Sequence, residues 1–143
     1  MAFIADASIA LAWYFHDEHS TMANRVRERL VDEGVCVPAH WPLEIVNALL
    51  AALRRKRIDE RELRQLIEDF RRLPDLIDEQ TGASAWAKTA ELALKHGLTS
   101  YDAAYLELGL RLDLPLATLD QALADAALSA GGRLVPEMGS TGS

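Results

Sequence analysis

Cysteine is almost absent from this chain of 143 residues: only Cys36 carries a thiol. No internal disulfide can form, a usage that suits a reducing cytosol. Cys36 lies in the apolar stretch VCVP and reads as a buried structural thiol rather than a nucleophile. No uninterrupted apolar run is long enough to cross a membrane. No basic segment precedes the first apolar stretch, which Asp6 interrupts, so no signal peptide is expected. There is no glycine-rich phosphate loop, and no Ser-His-Asp pattern in a recognisable context. Basic residues are outnumbered, 15 Lys and Arg against 22 Asp and Glu, giving a formal net charge of −7. That balance argues against a general nucleic-acid binder, which is usually basic.

What is present is an ordinary globular composition, 50% hydrophobic and 26% charged, in a chain long enough for one domain with a real core. With no repeat and no inter-domain linker, residues 1–136 are expected to form a single domain and 137–143 a flexible tail. The scarce basic charge is concentrated. Arg54, Arg55, Lys56, Arg57, Arg61, Arg64, Arg71 and Arg72 are eight of the fifteen basic residues. A solvated helix face, with Asp59, Glu60, Glu62, Glu68 and Asp69 as local partners, is the first reading. A patch facing RNA or a protein partner is the sharper one.

Short β-type runs alternate with helical patterns. FIA at 3–5, VCVP at 35–38, DLIDE at 75–79, PLATL at 115–119 and RLV at 133–135 read as strands. ASIALAWYF reads as a short helix. Residues 21–34 have helical periodicity, with Met22, Ala23, Val26 and Leu30 on one side and a stop at Gly34. Residues 41–57 form a long helix that tolerates Pro42 in its first turn. Asp59 can cap a helix running to about Leu73, broken by Pro74. Residues 84–97 and 100–112 are helical, as is the stretch after Asp120 up to Gly131 and Gly132. The alternation predicts a parallel sheet covered on both faces, with functional groups beyond the C-terminal strand ends.

Four acids stand out. Asp6 and Asp120 each follow a strand and open a helix, where an N-cap role suffices for either alone. Asp102 lies three residues after Thr99, as in a capping box. Glu44 is set in the nearly apolar run from Trp41 to Leu53, with Trp41, Asn47 and Ala48 at one-turn spacing and no basic residue within one or two turns on its face. Alone it reads as a glutamate reaching solvent at the rim. Read jointly, all four can meet at one sheet edge. Carboxylates brought that close repel unless a cation neutralises them. All-oxygen ligands without a His or Cys cluster favour Mg²⁺ or Mn²⁺, and a divalent ion held by few carboxylates suits phosphodiester cleavage.

The set FIADASIALAWYF, VPAHWPLEIVNALLAAL, LTSYDAAYLELGLRL and PLATLDQALADAA spans nearly the whole chain in order. In it the chain resembles the PIN-domain ribonucleases, most closely the VapC toxins of type II toxin–antitoxin pairs. The resemblance implies a three-layer α/β/α fold with a parallel sheet of about five strands. It places the family's acidic quartet on Asp6, Glu44, Asp102 and Asp120, with Asp6 and Asp102 the strongest candidates for direct ligands of one or two Mg²⁺ or Mn²⁺ ions. Glu44 and Asp120 complete the site or act through water. Ser8 and Thr118 match supporting hydroxyls, and Asn47 a polar residue one turn from the glutamate. It further implies an RNA substrate, a VapB-type antitoxin and a homodimer. Two divalent ions would bring the formal charge from −7 to −3, which softens the electrostatic objection to RNA.

The remaining candidates have plainer readings. Asp125 reads as a helix-surface charge. His16 and His19 in HDEH lack the HExxH spacing and suggest an exposed turn. His40 and His96 lie near helix ends, where capping or surface roles suffice. Trp13, Tyr14 and Phe15 suggest core and dimer packing rather than base stacking. Two other functions fit a similar sheet. A phosphohydrolase of the haloacid dehalogenase type wants two acids two residues apart after strand 1, but Ser8 follows Asp6 and Ala7. A non-catalytic binding module would keep the fold without binding Mn²⁺ or cutting RNA.

Overall fold

A computed structural model describes residues 2–14 and 21–135. Phe3–Ala5 form β1, Val35–Val37 β2, Asp75–Ile77 β3 and Leu116–Ala117 β4. The helices are α1 (Ala7–Ala12), α2 (Thr21–Glu33), α3 (Trp41–Arg54), α4 (Glu60–Arg71), α5 (Thr81–Ser84), α6 (Ala90–His96), α7 (Ser100–Leu112) and α8 (Gln121–Ser129). A π-helical turn, Ala85–Thr89, joins α5 to α6.

The strands pair in parallel in the order β3-β2-β1-β4, with Ile4 opposite both Cys36 and Leu116. Every residue of β1 and β2 is buried, as expected of strands covered on both faces. Helices on the two faces complete the α/β/α sandwich. The sheet has four strands, not about five. Of the expected strand at 133–135, only Leu134 pairs, bridging to Leu116. Strand β4 is flanked by Pro115, which has no N–H to donate, and by Thr118, whose hydroxyl donates to Asp6.

Local chemistry sets the helix limits. Asp59 and Glu62 form a reciprocal capping box that starts α4. Gly97, at φ 66°, closes α6 in the left-handed conformation that only glycine adopts cheaply. Helix α3 stops short of the expected residue 57, because the backbone at Lys56 turns left-handed at φ 62°. Helix α1 also ends early. Trp13 is buried in the turn after it and Tyr14 meets the Phe70 ring edge-on at 4.5 Å, which uses these rings for packing. Phe15, His16, His19 and the expected tail lie outside the described residues.

Helix α7 is the centre of the molecule. Its residues from Ala103 to Gly109 are all buried, so it carries apolar groups almost all round. Gly109 lets it sit low on the sheet: a Cβ there would lie 3.2 Å from the Leu114 carbonyl and 3.7 Å from Ile4 Cγ1. The buried Glu107 is matched by Arg111, whose guanidinium reaches Glu107 Oε2 at 2.7 Å and Asp78 Oδ2 at 2.7 Å. This fork ties α7 to the end of β3, and Asp78 continues through Thr81 Oγ1 to the Ala39 N–H before α3.

Removing one member of such a buried cluster leaves a charge without compensation. Arg111→Met should lower unfolding free energy by about 3 kcal/mol. The Glu107→Met/Arg111→Met double variant should recover most of it. Urea denaturation of both measures this, and equal losses in the two would show that packing, not the stranded carboxylate, is responsible.

Candidate active site

Asp6 stands where β1 ends and α1 begins, and it caps that helix. Its Oδ1 accepts from the Ile9 N–H at 3.1 Å and from the Ser8 hydroxyl at 2.7 Å, while Oδ2 accepts from the Thr118 hydroxyl. The two hydroxyls also accept: Ser8 Oγ from the Leu119 N–H at 3.1 Å, and Thr118 Oγ1 from the Asp120 N–H at 3.0 Å. Their proton directions are therefore settled, and the loop after β4 is stitched to Asp6. Oδ1 is fully used, but Oδ2 keeps a free lone pair.

Asp120 caps α8 by accepting from the Leu123 N–H at 3.1 Å. Asp102 lies in the first turn of α7, its N–H donating to Thr99 Oγ1 at 3.1 Å, so half of the capping box expected from Thr99 is formed. Glu44 lies in the first turn of α3. Its Oε1 accepts from the Tyr105 hydroxyl at 2.5 Å and lies 3.2 Å from His40 Nε2. His40 Nε2 is also 3.2 Å from the Tyr101 carbonyl oxygen. Both neighbours accept, so Nε2 carries the proton. Glu44 Oε2 has no hydrogen-bond partner among the described residues.

The charges act on one another. Burial pushes Asp6 up to about 6 against the hydrogen bonds that hold it, and the charge of Asp102 adds to the rise. Asp102 is raised by burial and then by the charges of Asp120 and Glu44. Glu44 is the exception. Burial would raise it, but the hydrogen bonds from His40 and Tyr105 prevail and hold it below the usual glutamate range. The four acids thus form one electrostatic cluster, and among the described residues no lysine or arginine pairs with Asp6, Asp102 or Asp120.

Among the described residues no three acidic, histidine or cysteine side chains converge into a ready-made cation cage. The donor set nevertheless fits a hard divalent cation. It is all oxygen, it carries surplus negative charge, and Asp6 and Glu44, each with an oxygen lone pair to spare, both interact electrostatically with Asp102. The other expected residues separate clearly. Ser8 and Thr118 hold Asp6. Asn47 is exposed and makes no hydrogen bond to the acids among the described residues. Asp125 is an exposed partner of Gln121.

Tyr105 and His40 were not singled out as site residues from the sequence. Glu44 is expected from the sequence to have no basic neighbour on its face; His40, 3.2 Å from Oε1, corrects that, while Tyr105 adds a donor to the same oxygen. The signal was spacing: His40 is four residues before Glu44, and Tyr105 three after Asp102.

Comparison with known proteins gives concordant results. The sequence model of the PIN domain matches residues 3–128. Ribonuclease VapC3 of Pyrobaculum aerophilum is 31% identical over 125 residues, covering 87% of this chain and 94% of that protein. Among solved structures, PAE2754 from Pyrobaculum aerophilum superposes with a TM-score of 0.61 at 23% identity, over 88% of this chain and 79% of that one. This last likeness concerns the fold alone.

The raised pKa of Asp6 has a definite sign. An acid lifted from 3.8 to about 6 on folding favours the folded state below 3.8, and that contribution is lost as pH rises through 6. Asp6 is nearly buried, so its ionised form destabilises the metal-free protein by about 2–3 kcal/mol. Asp6→Asn should therefore be more stable than the parent at pH 8 in chelator, with an advantage that shrinks by pH 4.5. Urea midpoints at the two pH values measure this, and an advantage growing toward acid would refute the burial account.

Proposed function

The chain belongs to the PIN-domain family, and on that premise we propose that it is a metal-dependent endoribonuclease of the VapC toxin kind. The observation that carries the reading is the cluster of four carboxylates, from four separate elements, with no lysine or arginine pairing Asp6, Asp102 or Asp120 among the described residues. The name of the homologous Ribonuclease VapC3 supports the choice of RNA as substrate.

Asp6 and Asp102 are the residues assigned to hold Mg²⁺ or Mn²⁺ directly, with Glu44 and Asp120 completing the site or acting through water. A divalent ion so held supplies Lewis-acid polarisation of a phosphate and acidifies water. The chain's own contribution is placement. Ser8, Thr118 and the Ile9 N–H fix the Asp6 carboxylate plane, leaving one lone pair outward. Tyr105 and His40 anchor Glu44 through one oxygen and keep it ionised. Such supporting hydrogen bonds typically govern metal affinity strongly.

The same reading includes a VapB-type antitoxin and a homodimer. The exposed Trp86 and Leu94, on the stretch from α5 to α6, supply apolar surface for a second copy. No helix among the described residues is long and apolar enough to cross a membrane.

Purified protein should cut RNA with Mn²⁺ and stop in chelator. Asp102→Asn should lower the rate by about 10²-fold or more. Tyr105→Phe should keep the fold and lose about tenfold in Mn²⁺ affinity by calorimetry. Cleavage that persists in Asp6→Ala or Asp102→Ala protein would remove the acids from the mechanism.

A further inference from the structure

The basic segment after α3 stands in a fixed relation to the acidic cluster. An α-helix turns about 100° and rises about 1.5 Å per residue. Arg55 is eleven residues beyond Glu44, so it returns to nearly the same side of the helix after three turns, about 16 Å away. Asn47, Ala48, Ala51 and Arg54 fall on that flank as well. The buried face of α3, with Trp41, Ile45, Leu49 and Ala52, points elsewhere. The flank therefore runs from a carboxylate, past a polar amide and two small side chains, to a cluster of cations.

The cations at its end are not absorbed by neighbouring acids. Asp59 and Glu62 are engaged in each other's capping box, Glu60 pairs with Arg64 at 3.6 Å, and Glu68 with Arg71 at 3.5 Å. Arg54, Arg55 and Lys56 are exposed and make no ion pair among the described residues. The helix dipole favours positive charge at this end, which accounts for a cation in the last turn but not for the run of them. Lys56 adds an independent observation. It occupies the left-handed conformation at φ 62°, where glycine is the easy residue, so a cation stands there against the backbone's preference.

We propose that this flank of α3 is the track along which single-stranded RNA is held, with Arg54 and Arg55 on it and Lys56 just beyond its end gripping phosphates while the scissile bond lies at the acidic cluster. The inference rests on the ribonuclease reading for its choice of polyanion. A protein of net charge −7 whose active site is itself acidic repels its substrate at long range. A cationic grip some distance from the carboxylates offsets that repulsion without placing a positive side chain among the metal ligands. An acidic protein segment would match the cations equally well, but it would have no reason to follow the flank back to the carboxylate Glu44.

The test uses labelled single-stranded RNA of about twenty nucleotides, and a dinucleotide too short to span the 16 Å or so from site to grip. Binding is read in chelator, where no cleavage occurs, and turnover with Mn²⁺. In Arg54→Gln/Arg55→Gln, affinity for the long RNA should fall about tenfold and the salt slope should drop by about 1.4, or 0.7 per phosphate contact. KM for the long RNA should rise with kcat retained, and dinucleotide cleavage should be unchanged. Lys56→Gly should weaken RNA binding without lowering thermal stability, which separates the grip from any structural role.

Unaltered affinity and salt slope in both variants would overturn the proposal, as would an equal loss of rate on the dinucleotide. Variants that keep RNA affinity but lose a co-expressed antitoxin would assign the cations to that partner instead. A parent protein that binds RNA with this salt slope yet cuts neither substrate would count against the ribonuclease reading and leave the RNA surface standing.

Discussion

The burial of one carboxylate organises this molecule. Asp6 is almost without solvent, and its ionised form persists only because three donors converge on it from its own helix and from the loop after β4. Ser8 and Ile9 are local donors, but Thr118 requires the register that sets Ala5 beside Ala117, because it reaches Asp6 only when β1 and β4 are neighbours. The strand order and the cap of α1 are therefore parts of one arrangement. A group held this way is unfavourable for the isolated chain and becomes favourable when a cation shares its field. Such a site trades stability for a task.

The acids of the site divide the work electrostatically. Asp6 and Asp102 are raised by burial and by like charge, whereas Glu44 is lowered by donors from two helices. The cluster therefore holds its charge unequally, with Glu44 favoured as a carboxylate and Asp6 and Asp102 disfavoured. The phenol of Tyr105 is important here because it is buried and donates to Glu44, and its own proton is held well above the ordinary tyrosine range by burial and by that carboxylate.

Much of this was legible from the residues. The strand positions, the glycine stops at Gly34 and Gly97, and the caps at Asp6, Asp59 and Asp120 follow from local chemistry, which acts over three or four residues and leaves a trace at that spacing. The placement of Asp6 and Asp120 just beyond neighbouring strands was legible from topology, since strand ends of a parallel sheet point one way. Three features were not anticipated. The expected strand at 133–135 is reduced to a single bridge between Leu134 and Leu116, which no local pattern marks. Tyr105 reads as one more apolar residue of α7 until that helix is known to lie against α3. The fork of Arg111 between Glu107 and Asp78 joins residues 33 positions apart, beyond the reach of any periodicity.

Gly109 bears on all of this through what it lacks. It carries no functional atom and makes no contact with the acids, yet its bare backbone sets how deeply α7 settles on β1 and the following turn. Asp102 and Tyr105 ride on that helix, one turn apart, and face partners fixed to other elements. A single added methyl at 109 would sit 3.2 Å from the Leu114 carbonyl, so the turn or the helix carrying both side chains must shift to admit it. The height of one carboxylate above another is thus written into a position with no chemistry of its own. In evolutionary drift, this glycine should behave as a member of the site.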